Sequence, residues 1–211
     1  MNAARLQALA TLLLLAAVGP VFAGELDVEV RDLAGNALQD AVIFLEPTAG
    51  VHPPAQAPKT TIDQVNKEFV PLVTVIEAGT EVSFPNSDNI RHSIYSFSPA
   101  KVFTTKLYSG KQAPPVIFDK PGLVVLGCNI HDHMIAWVVV VDTPYFSKTG
   151  ADGLGAIKGL GPGDYRLSLW YPAAQFEPHV EQIHLGAEPS QRRLIKLDAS
   201  GSPLPAARHS P

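Results

Sequence analysis

Between Leu26 and His184 the chain is a series of short apolar or alternating runs cut by turn residues, with no helical period of about ten residues between them. This pattern restricts the fold more than any other feature. Leu26-Asp-Val-Glu-Val-Arg31 alternates, the turn signal Asp32-Leu-Ala-Gly-Asn36 follows, and Ala41-Val-Ile-Phe-Leu45 comes next. Two half-buried strands joined by a turn are predicted there. A second series occupies 72–76, 80–84, 93–97, 122–127 and 136–141, with Gly, Pro, Asn and Asp clusters between the runs. Past Thr143-Pro144, alternation resumes at 154–158, 165–170 and 180–184 around glycine-rich joins. The expected fold is all-β, an antiparallel sandwich or barrel. Composition agrees: 16 Gly and 19 Pro suit a turn-rich chain, and a single cysteine excludes an internal disulfide framework.

Residues 1–23 stand apart from this pattern. Arg5, an apolar run to Val18, Gly19-Pro20 and the ending Val21-Phe22-Ala23 have the three-part layout of a secretory signal peptide, with cleavage expected after Ala23. The apolar run is shorter than the roughly 20 residues a bilayer span needs, so no membrane span is expected after cleavage. Without residues 1–23 the chain keeps 15 basic and 20 acidic side chains, a formal charge of −5. An acidic chain with no dense Lys/Arg cluster offers nucleic acid no electrostatic footprint. Export also places Cys128 in an oxidising compartment, where a free thiol is a liability unless it is buried, paired between chains or bound to metal.

The strand series suggests an interrupted organisation. Residues 24–58 supply two strands and a proline-rich linker, and 146–196 supply the later alternations. Each is too short for a comfortable core alone. They are read as two halves of one small sheet domain, interrupted by 59–145, with 197–211 as a flexible tail. The join Gly159-Leu-Gly-Pro-Gly163 is a turn; it lacks the spacing and following Lys-Ser or Lys-Thr of a phosphate loop.

Chemistry concentrates in Gly127-Cys128-Asn129-Ile130-His131-Asp132-His133-Met134. Cys128, His131 and Met134 recur at intervals of three, and a short loop between strands can turn a thiolate, an imidazole and a thioether toward one point. His92, at the end of an upstream strand, can close the set. Two imidazoles, one thiolate and a weak thioether describe a blue-copper electron-transfer centre. A second reading exchanges Met134 for His133, giving Cys128, His131, His133 and His92, a donor set compatible with zinc. Neighbouring residues of an extended segment point to opposite faces, so His133 joins the others only if the loop turns sharply. His52, His179, His184 and His209 are read as solvated or satisfied. No serine nucleophile elbow, His-Glu-x-x-His helix or second redox cysteine is present, so no enzyme is expected.

Over about 59–146 the chain resembles the cupredoxins of the amicyanin and plastocyanin type. The matching residues are Cys128-x-x-His131-x-x-Met134, the strand Ala136-Trp-Val-Val-Val-Val141, and His92 after Glu81-Val-Ser-Phe-Pro-Asn86. Through Phe84-Pro-Asn-Ser-Asp88, Arg91-His-Ser93, Cys128-Asn-Ile-His131 and Asp142-Thr-Pro-Tyr-Phe146 it is similar in particular to periplasmic plastocyanin-like proteins labelled methylamine utilisation proteins. The resemblance implies a Greek-key β-sandwich and one copper ion cycling between Cu(I) and Cu(II). His92, Cys128 and His131 would be its strong ligands and Met134 its weak axial one. It implies a periplasmic electron carrier with protein donor and acceptor partners. The edge of His131 would be the electron port, and Ile130, Ile135 and Pro71 candidate rim residues. Copper storage or delivery shares every ligand; a binding module with zinc or no metal is the other class. One departure is Ser93, where cupredoxins commonly have an Asn that ties the upstream ligand strand to the cysteine loop. The flanks resemble the carboxypeptidase regulatory-like, transthyretin-like sandwich through residues 28–42, 149–153 and 159–167.

Overall fold

The computed structural model describes residues 24–49, 58–110, 113–173 and 178–199. The signal-peptide reading, most of the proline-rich linker and residues 200–211 lie outside them. The described residues are all-β, as period-2 patterning requires. The chain begins with β1 (Gly24–Asp32) and β2 (Val42–Pro47). It continues through β3 (Lys59–Thr61), β4 (Asp63–Val65), β5 (Glu68–Val70), β6 (Val73–Glu77) and β7 (Thr80–Ser83). Next come β8 (Ile94–Ser98), β9 (Lys101–Thr104), β10 (Val116–Phe118), β11 (Gly122–Cys128) and β12 (Ile135–Val141). It closes with β13 (Phe146–Lys148), β14 (Leu154–Leu160), β15 (Gly163–Trp170), β16 (His179–Leu185) and β17 (Ser190–Leu197).

Strands from the two ends of the chain share two sheets, ordered β14-β1-β17 and β13-β2-β15-β16. Leu26, Val28 and Val30 point inward at alternate positions of β1, against Leu45, Leu167, Ile183 and Ile195. The turn foreseen after β1 forms: Asn36 donates from its backbone and its amide to the two oxygens of Asp32, at 2.7 and 2.8 Å. It does not close a hairpin, because β1 pairs with β14 and β17 whereas β2 pairs with β13 and β15. The turn carries the chain from one sheet to the other.

The middle strands form a second sandwich, with sheets β6-β12-β11-β8-β9 and β10-β7-β3 and a separate β4-β5 hairpin. Val82, Phe84 and Phe118 from one side meet Ile94, Val124, Leu126 and Val138 from the other. The pairing is not purely antiparallel as expected: β1–β17, β3–β7 and β6–β12 are parallel. These strands are far apart in sequence, or separated by others, so no hairpin imposes direction on them.

Strand β12 explains how the two sandwiches meet. Ala136, Val138 and Val140 face the core that holds Cys128 and Met134. Val139 and Val141 face the other way and pack with Val42, Val73 and Trp170. Burial on both faces is why Val138-Val-Val-Val141 is an unbroken apolar run. Lys148 reinforces the joint, with Nζ 2.6 Å from Asp40 and donating at 2.8 Å to the carbonyl of Val73.

Candidate metal centre

Cys128 ends β11 and lies opposite Ile94 of β8, so the strand register sets the face its thiol takes. His92 lies just before β8 and is held by a two-way backbone exchange with Tyr108, 3.0 Å in each direction. His131 comes from the loop between β11 and β12, which closes in a turn where the Met134 N–H donates to the His131 carbonyl at 3.0 Å. Three positions thus converge. One donor atom from each of His92, Cys128 and His131 lies within 4.8 Å of the other two. Cys128 Sγ is 3.6 Å from His92 Nδ1, and the two imidazole centroids are 5.1 Å apart.

The donor set fits a soft or borderline cation. Metal bonds of about 2.0–2.3 Å to N and S place donors on one ion roughly 3.3–4 Å apart, and the 3.6 Å between Cys128 Sγ and His92 Nδ1 lies in that range. His131 Nδ1 is buried with no hydrogen-bond partner, which costs free energy unless something else engages it. An ion shared with Cys128 and His92 would supply that interaction. The pKa of His131 is held below the usual histidine value, first by loss of solvent, then by His92, Lys67 and His133, with Asp88 opposing. A neutral ring keeps the lone pair that a metal needs.

Asp88 orients the second imidazole. Its oxygens accept from the backbone N–H of Asn66 at 2.6 Å and of Lys67 at 2.9 Å, and lie 2.8 Å from His92 Nε2. Desolvation raises the Asp88 pKa, but the Lys67 N–H, His92 and the Asn66 N–H outweigh it and hold the carboxyl below its usual range. An ionised carboxylate only accepts, so the proton of a neutral His92 sits on Nε2 and the Nδ1 lone pair faces Cys128. Nearby, Gln64 donates to the Tyr108 hydroxyl at 2.5 Å, and that hydroxyl donates to the Phe84 carbonyl at 2.9 Å. Burial drives the Tyr108 phenol up to about 12, so it stays a donor.

Of the sequence-predicted ligands, His92, Cys128 and His131 come together, and Met134 is buried in the same core cluster as Cys128. His133 does not join them. It is exposed, its ring centroid 6.0 Å from that of His131, so the four-donor set with His133 is not assembled. Ser93 does provide a tether, by an exchange of roles: Asn129 on the cysteine loop donates its amide to Ser93 Oγ and its backbone N–H to the Ser93 carbonyl, each at 2.9 Å. Ser93 Oγ in turn donates to the Thr105 carbonyl at 2.9 Å. Among the candidate rim residues, Ile130 lines a cavity of about 530 Å³ beside His131; Ile135 and Pro71 do not. His184 pairs with Asp164 at 2.7 Å and His179 is exposed. His52 and His209 lie outside the described residues.

An all-β sandwich carrying a His–Cys–His cluster, with His92 and Cys128 buried and His131 partly exposed, is the class that the fold and the site define. No protein-family model matches the chain, and no curated protein matches it either. Among solved structures it is similar to a copper-containing nitrite reductase from Thermus scotoductus SA-01, with 26% identity and a TM-score of 0.38. That match covers 46% of this chain and 25% of the reductase, so the chain spans about a quarter of the reductase's length. A purple cupredoxin from Nitrosopumilus maritimus is 22% identical over 39% of this chain and 99% of its own, with a TM-score of 0.35. Amicyanin from Paracoccus versutus is 19% identical over 46% of this chain and 97% of its own, with a TM-score of 0.36. The structural neighbours are cupredoxins and a copper enzyme.

Proposed function

We propose that this protein is a type 1 copper protein that carries single electrons between redox partners in the periplasm, and that it is not itself an enzyme. The observation that carries the reading is the convergence of Cys128 Sγ, His92 Nδ1 and a ring nitrogen of His131, a residue whose Nδ1 is buried and otherwise unpartnered. Copper, when bound, supplies one reversible electron with no bond made or broken in a substrate. The residues do the rest. His92, Cys128 and His131 are the strong ligands, and Met134 the weak fourth. Asp88 and Asn129 hold two of the donor-bearing segments in place, which limits rearrangement when charge changes. The surrounding Ile94, Leu126 and Ala136 are fully buried and exclude water. Residues 24–58 and 146–196 act as a single regulatory-like scaffold into which 59–145 is inserted.

Metal analysis with visible and paramagnetic resonance spectra of the purified protein tests this reading. One copper per chain with an intense blue absorption is expected, and His92→Ala should abolish that absorption. A protein that stays colourless after Cu(II) addition, with Cys128→Ser indistinguishable from it, would refute the reading.

A further inference from the structure

We propose that the cavity beside His131 is a docking surface for an acidic protein partner. The inference rests on the electron-carrier reading and adds to it the surface chemistry of the partner. The cavity has a volume of about 530 Å³, and its lining includes Lys67, Ile90, Arg91, Leu107, Ile130 and His131. Its apolar part is open to contact, with Leu107 48% and Ile130 52% exposed. Its charged part is cationic. Lys67 and Arg91 are both exposed, come from two different loops, and make no ion pair among the described residues.

Local sign and global sign are opposed. The whole chain carries a formal charge of −4, yet the side chains that line this cavity include two cations and no carboxylate. Asp88, three residues before Arg91, turns its oxygens toward Asn66, Lys67 and His92, and the exposed Asp132 does not line the cavity. An electron partner must approach the ring of His131 closely. Exposed apolar side chains give such a partner dry contact, and unpaired cations around them steer and orient an acidic surface. The same surface would be repelled by the net negative charge elsewhere. One docking orientation is therefore favoured over the rest.

Amide shift mapping on the full chain, metal-free and Cu(I)-loaded, tests this with two probes: polyglutamate, and hexacyanocobaltate(III), a redox-inert trianion. Polyglutamate should shift Lys67, Arg91, Leu107, Ile130 and His131, and its binding should weaken about tenfold or more between about 0.02 and about 0.5 M salt. The double variant Lys67→Asn/Arg91→Glu should bind it about tenfold more weakly. Asn tolerates the positive φ of 60° at position 67, and unchanged shifts in the strands will verify the fold. Binding of the trianion alone would make the cavity a small-anion site and overturn the proposal. So would polyglutamate shifts elsewhere, or none, or equal binding by the double variant. Failure of the copper reading shows separately, as a colourless protein after Cu(II) addition, and leaves the metal-free shift map to decide the docking surface.

Discussion

Asp88 is the side chain on which the geometry of His92 most depends. It meets three donors with two oxygens, and its side chain is only 10% exposed. Asp88→Ala leaves the buried His92 Nε2 without its acceptor, while water can replace the exposed Asn66 and Lys67 bonds, and should lower unfolding stability by about 1–3 kcal/mol in denaturant titrations. Asp88→Asn, which keeps an acceptor oxygen, should lose less. Gly127 makes a second prediction. A Cβ there would sit 2.5 Å from the ring of Tyr95, next to the residue that presents the thiol. Gly127→Ala should cost about 1–2 kcal/mol, and adding Tyr95→Ser should recover most of it. If the double variant is no more stable than Gly127→Ala, the ring is not the obstacle. Part of the His92–Cys128–His131 cluster was legible in the sequence because Cys128 and His131 lie in one strand-loop-strand segment, where spacing is geometry. Asp88 and Asn129 were not legible as supports, since their partners depend on how separate loops are juxtaposed. An unpaired His131 Nδ1 has no sequence signature at all.

At the scale of elements, the strands with strong alternation or long apolar runs were legible, and the short polar ones were not. Lys59-Thr-Thr61 and Asp63-Gln-Val65 have almost no apolar periodicity, and their strand form comes from pairing with β7 and β5. Strand β17 contains Arg192 and Arg193 and is an edge of its sheet, where charge is tolerated on the open side. The β1–β2 turn yields a pH prediction. Hydrogen bonds from the Asn36 side chain and backbone N–H hold the Asp32 pKa below its usual value, although the carboxyl is exposed. A folded pKa below the unfolded one adds stability at pH above the unfolded value. That contribution is lost as pH falls through the depressed folded value. Asp32→Asn should therefore flatten the acid side of the stability profile and leave a smaller difference at low pH than at neutral pH. NMR titration of the Asp32 carboxyl measures the shift directly; a normal or raised pKa would contradict it.

At the scale of the molecule, the joint between the sandwiches bears on whether the candidate metal centre and the proposed scaffold unfold as one. The joint is apolar, with Val42 and Trp170 on one side and Val73, Val139 and Val141 on the other, and Lys148 bridges its edge. A ligand that binds only the folded state stabilises it by about 4 kcal/mol at a thousandfold excess over its Kd. Copper loading should therefore raise the unfolding midpoint. In the native protein far-ultraviolet circular dichroism and the visible absorption should lose signal together, because an intact joint transmits that stabilisation to both sandwiches. Trp170→Ala removes the largest side chain of the joint from the scaffold side, at a cost of about 3–5 kcal/mol, and leaves the core around Cys128 intact. The variant should still bind copper, but its unfolding should split: a first transition unaffected by copper, and a second that copper raises and that carries the visible signal. A single copper-sensitive transition in Trp170→Ala would mean that the coupling runs through the chain crossings and Lys148 rather than through the apolar joint.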